Sequence, residues 1–103
     1  MNLQQWALDL GLDEADVLEL LQLYCTALAS DIKHLKAACR HNDAVLAAST
    51  AHSLKGSAGN LGFKEISAIA ARTEKNARRK RLDGLRETIT ILNKHLNDLY
   101  QAC

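Results

Sequence analysis

Apolar residues recur along this 103-residue chain at spacings of three and four, with polar residues between them. That is the period of amphipathic helices, and nowhere does the strict alternation of a strand appear. Leu3, Trp6, Ala7 and Leu10 make a first short stripe, with Asn2 placed to cap it and Gly11 to stop it in the left-handed conformation. This segment is expected to lie across one end of the fold, anchored by Trp6. Val17, Leu20, Leu21, Tyr24, Leu28, Ile32 and Leu35 then mark a long helix. Asp13 is its cap, and Glu14 and Asp16 suit its positive end. The pattern predicts that it runs to about Cys39, with Arg40-His41-Asn42-Asp43 as the turn.

Asn42 or Asp43 is expected to cap a central helix that closes at Gly62, with Phe63 packing back on its last turn. A fourth helix follows through Ile66, Ile69, Ala70, Thr73 and Ala77, and Leu82-Asp83-Gly84 interrupts it. Asp83 is the expected cap of the last helix. There Leu85, Ile89, Leu92, Leu96 and Leu99 alternate steps of four and three, the seam of an antiparallel bundle. The short connections predict an all-α fold: an up-down-up-down antiparallel four-helix bundle with a short additional N-terminal helix, one domain over residues 1–103.

The central helix has an unusual outer face. At about 100° per residue, positions three, four and seven apart lie together. Lys55, Gly56 and Gly59 therefore share a side with His52, while Ala47, Leu54, Ala58 and Leu61 make the core stripe opposite. His52 is thus predicted to face water. Glycines inside a helix cost roughly 1 kcal/mol each relative to alanine. Two of them beside an exposed histidine call for a reason, and close approach of another molecule supplies one. Val45, Ala48 and Ser49 extend the same side one to two turns earlier. With Gly56 and Gly59 they form a shallow, partly apolar surface suited to a partner helix.

The run His52-Ser53-Leu54-Lys55-Gly56-Ser57-Ala58-Gly59-Asn60-Leu61-Gly62 resembles the signature of the histidine-containing phosphotransfer (HPt) domain. That pattern is His, any residue, Leu, Lys, Gly, then small residues, closing in Leu-Gly. The length and helix pattern suit a whole, free-standing member. The resemblance implies a phosphocarrier, with His52 taking a phosphoryl group from an aspartate of one receiver domain and passing it to an aspartate of another. The partners implied are a receiver in a hybrid sensor kinase and one in a response regulator. Imidazole suits the task because it is largely neutral at cellular pH and still nucleophilic. Lys55, one turn on, can reach phosphoryl oxygens as a mobile cation, and Ser49 and Ser57 can add weaker hydrogen bonds. No cofactor or metal of the chain's own is expected; the receiver would bring Mg²⁺ and its acidic site. The rival reading is a helical interaction module that docks a receiver or another protein without carrying phosphate.

Composition narrows the remaining classes. A formal net charge of +1 does not make a nucleic-acid-binding polyelectrolyte. The basic run Arg72, Lys75, Arg78, Arg79, Lys80 and Arg81 is read first as a solvated helix end, before nucleic-acid binding or partner steering. The glycine spacing matches neither dinucleotide nor Walker-type loops, so no ATP site and no self-phosphorylation are expected. No stretch approaches the ~20 apolar residues of a membrane span, and no leader is visible, which together predict a cytoplasmic protein, expected to be a monomer. Cys25, Cys39 and Cys103 have no paired spacing, and with His34 and His41 they make no convincing metal cluster; they are read as buried or incidental thiols.

Overall fold

The computed structural model describes residues 2–102, so Cys103 lies outside the described residues. Five helices follow one another, α1 (Leu3–Leu10), α2 (Glu14–His41), α3 (Ala44–Asn60), α4 (Lys64–Arg78) and α5 (Leu85–Ala102), with no strand among the described residues. They form an elongated body of 42 × 20 × 16 Å. α2 packs on α3 and α5, α3 packs on α4, and α1 rests on α2.

The starts and stops have local causes. Asn2 accepts from the Gln5 amide, and Gly11 ends α1 with φ 71°. Asp13 accepts from the Asp16 amide at 2.8 Å. α2 runs two residues past the predicted Cys39, because Asn42 is the residue that takes the left-handed conformation (φ 51°). Asn42 therefore closes α2, and Asp43 alone caps α3, accepting from Leu46 N at 3.0 Å. Asparagine tolerates this conformation better than other non-glycine residues, which makes so short a connection possible.

Two further boundaries differ from expectation. α4 stops at Arg78, ahead of the Leu82-Asp83-Gly84 interruption, with Lys80 in the left-handed conformation (φ 58°) and Arg81 N donating back to Asn76 O. At the start of α5, Gly84 and not Asp83 stands at the cap: its carbonyl accepts from both Thr88 N and Thr88 Oγ1 at 3.1 Å. α3 ends at Asn60, and Gly62 (φ 82°) lets Phe63 N return to Ala58 O at 2.9 Å.

The core follows the predicted stripes. Val17, Leu21, Leu28, Leu35, Leu54 and Leu92 are its largest fully buried members, and all five seam residues of α5 are buried. Leu20 and Leu61, placed in the stripes by spacing, are only half-buried. Trp6 anchors α1 as expected. Its indole donates to Leu61 O at 2.9 Å and lies 5.2 Å from the Phe63 ring, which in turn lies 4.8 Å from Tyr24. This aromatic stack locks the end of α3, the helix that carries His52.

The buried face of α3 is made of Ala47, Thr50, Ala51, Leu54 and Ala58. Small side chains let α4 come close, and this pair shares the most extensive interface in the molecule. A Cβ added at Gly59 would sit 3.4 Å from Ser67 Oγ of α4, and that hydroxyl donates to Lys55 O at 3.1 Å. Gly59, predicted for the partner-docking face, is exposed, yet the side it leaves open is turned to α4. Ser67, beside that open position, ties α4 to the turn bearing Lys55.

Candidate functional site

His52 leaves the middle of α3 with its side chain 65% exposed, as the spacing predicts. Its ring is not free, however. Nδ1 lies 2.9 Å from Oε2 of Glu74, on α4. Lys55 Nζ donates to the other oxygen, Oε1, at 2.8 Å. Arg78, one turn beyond Glu74, donates to Oε2 through Nη2 at 2.7 Å and Nε at 3.2 Å. One carboxylate thus gathers the histidine and two cations.

The Glu74 side chain is only 7% exposed, because it occupies the face of α4 that packs on α3. A buried carboxylate without partners is costly; three charged or polar partners make this one tenable. The Lys55 hydrogen bond, then that of Arg78, with a smaller contribution from His52, outweigh burial and hold Glu74 down at about 2. Glu74 is therefore ionised at any ordinary pH and can only accept. In neutral His52 the proton must then reside on Nδ1, which leaves the lone pair on Nε2 of a ring that is mostly exposed.

The same shift makes a stability prediction. A carboxyl titrating lower in the folded chain than in the unfolded one stabilises the fold fully above its ordinary value near 4.5, and this contribution disappears as pH falls through about 2. Denaturant unfolding at stepped pH is expected to show a loss of stability across that window that is smaller in Glu74→Gln.

Other predicted site residues are distributed around this centre. Val45 is 80% exposed, Ala48 half-buried and Ser49 exposed. Together with Ala77, Arg78 and Lys80 they line a shallow groove of about 430 Å³. Ser49 Oγ and Ser57 Oγ each donate to a carbonyl of their own helix, Leu46 O and Leu54 O, both at 3.2 Å. Gly56 is exposed, and a Cβ there would meet nothing within 4 Å. Gly56→Ala is accordingly expected to raise stability by about 1 kcal/mol in a denaturant titration.

Glu74 and Arg78 did not emerge from the sequence as parts of this site. Arg78 belongs to the basic run expected to be solvated, and it is exposed like Arg72, Lys75, Arg79, Lys80 and Arg81, yet it also bonds Glu74. The available signal was Glu74 itself. It stands four residues after Ala70 and three before Ala77, on the α4 core stripe, where a carboxylate needs a partner.

The family model of the Hpt domain matches residues 19–102. The chain belongs to the Hpt domain family. Membership places it in two-component phosphorelay signalling, and Hpt domains are phosphocarriers. A search of curated proteins and of solved structures finds no match. Among the described residues no three His, Cys, Asp or Glu side chains come together as a metal site, and no helix is long and apolar enough to cross a membrane. Cys25 is buried and Cys39 half-buried, both as thiols.

Proposed function

We propose that this Hpt domain carries a phosphoryl group on Nε2 of His52 between the aspartates of two receiver domains, in a hybrid sensor kinase and a response regulator. The observation that supports the reading best is the Nδ1 contact to Glu74, which leaves the nucleophilic nitrogen of an exposed ring toward solvent. In the accepting step the Nε2 lone pair forms the new N–P bond as the P–O bond of the aspartyl phosphate breaks, and that electron pair returns to the aspartate. The ring is left positively charged, with its Nδ1 proton facing the Glu74 carboxylate. The donating step reverses this and regenerates neutral imidazole. Transfer is then a matter of positioning and charge stabilisation.

Lys55 is the cation nearest in sequence to act on the phosphoryl oxygens. Val45, Ala48, Ser49 and Gly56 supply the docking face, with Gly59 at its edge against α4. The four long helices are taken to run up-down-up-down, as their short connections favour, and the chain to act as a cytoplasmic monomer. No residue is assigned to a cofactor, Mg²⁺ coming with the receiver, and self-phosphorylation is not expected.

Incubation with a ³²P-labelled phospho-receiver is expected to move label to this chain. A folded chain that binds the receiver and stays unlabelled would leave the non-carrying interaction module as the answer. Lys55→Ala is expected to slow transfer roughly tenfold, less than the ~100-fold typical of a fixed oxyanion donor, because this cation is mobile and half-exposed. Unchanged rates in both directions would return Lys55 to an ordinary surface role.

A further inference from the structure

Glu74 holds two cations that face the same nitrogen-bearing ring, and only one of them belongs to the signature run. Arg78 sits on Oε2, the very oxygen that contacts His52 Nδ1, and its side chain is 64% exposed, free on its outer side. Lys55 sits on Oε1 with 40% exposure. Both bonds to Glu74 are charge-assisted, yet each cation keeps hydrogens that Glu74 does not use. Nδ1 and Nε2 flank a single carbon of one small ring, so a group on Nε2 comes within a side-chain swing of both cations held at Glu74.

We propose that Arg78 is a second phosphoryl-binding cation, and that Glu74 keeps Arg78 and Lys55 in reserve until the phosphoryl group takes them over. The inference rests on the carrier reading above and adds to it a residue from α4. A phosphoryl group on Nε2 brings three anionic oxygens beside the site. They compete with one carboxylate for the two cations, and a planar guanidinium fits two oxygens at once. Glu74 keeps the Nδ1 proton as its partner, which is the bond that becomes stronger when the ring gains charge. The uncharged protein thereby avoids an unpaired cationic cluster, and the charged one avoids an unpaired phosphoryl dianion.

Arg78 could instead act only through Glu74, bracing the carboxylate that orients His52. The two roles separate in a double-mutant cycle. Phosphoramidate is the probe, since it charges histidine without a docking partner: Nε2 forms its N–P bond as the donor's P–N bond breaks and ammonia departs with the electron pair. Arg78→Ala is expected to slow labelling about fivefold, the rate equivalent of one partly exposed ion pair. In a Glu74→Gln background, where glutamine still accepts from Nδ1 but no longer holds the cations, Arg78→Ala is expected to slow labelling at least as much.

An effect that vanishes in that background makes Arg78 a brace and overturns the proposal. So does an equal effect from Arg79→Ala, an exposed neighbour with the same charge, since that would reduce the result to net charge. ¹⁵N NMR of the Arg78 Nε resonance supplies a direct readout. It is expected to shift on charging, and a resonance that stays unmoved while His52 is fully labelled overturns the takeover. If His52 of the unaltered protein accepts nothing from phosphoramidate or from a phospho-receiver, the carrier reading itself falls and takes this proposal with it.

Discussion

His52→Gln is expected to abolish phosphoryl acceptance, from a phospho-receiver and from phosphoramidate alike, by more than about a thousandfold, as removal of a nucleophile does. The loss should be chemical and not structural. The imidazole is mostly exposed, and the Nδ1 bond to Glu74 ties it to the fold. A glutamine amide can donate to the same carboxylate, so stability should stay within about 0.5 kcal/mol of the unaltered protein. The label on the unaltered chain should be acid-labile and alkali-stable, the signature of a phosphoramidate. Label retained by the folded variant would place the acceptor elsewhere and remove the basis of the site.

That prediction draws on the part of the site most legible in sequence. The outward direction of His52, Lys55 and Gly56 follows from helical periodicity alone, and the structure repeats it because α3 is regular throughout. The α5 seam and the Trp6 anchor were legible for similar reasons: a long unbroken period, and one large aromatic in a short amphipathic segment. What periodicity does not carry is the angle and depth at which two helices meet. The alanines of α3 mark a core stripe and say nothing of which residue of a neighbouring helix arrives beside it. Glu74 became a site residue only when α4 was laid on that face, twenty-two positions along the chain. Gly59 shows the same limit from the other side. Its angle put it on the histidine's side, but the nearest thing to its empty position is Ser67 of α4.

Boundaries were misplaced where two residues competed for one task. Asn42 and Asp43 both suit a helix cap, and only the left-handed backbone at Asn42 divides the work between them. At the end of α4, no glycine marks the stop. Lys80 takes a conformation that glycine would hold at less cost, so composition pointed past it to Gly84.

Val45→Glu is expected to separate docking from chemistry. Val45 is 80% exposed and opens the groove shared with Arg78 and Lys80. An apolar residue so exposed, two turns from His52 and beside a basic rim, suits the centre of a contact with an acidic receiver face. Its removal is expected to slow exchange with a phospho-receiver by about thirtyfold, the equivalent of a ~2 kcal/mol hot spot. The substitution should not harm α3. Glutamate is a better helix former than valine, and position 45 lies in the first turn after the Asp43 cap, where a negative charge is favoured. Phosphoramidate needs no docking surface and should label the variant within about twofold of the unaltered rate. Val45→Leu, which keeps the apolar contact, should exchange normally. If the glutamate variant exchanges as fast as the unaltered chain, the receiver docks elsewhere. If small-donor labelling fails as well in a folded protein, Val45 acts on His52 itself, and the groove is part of the chemical site and not a landing surface beside it.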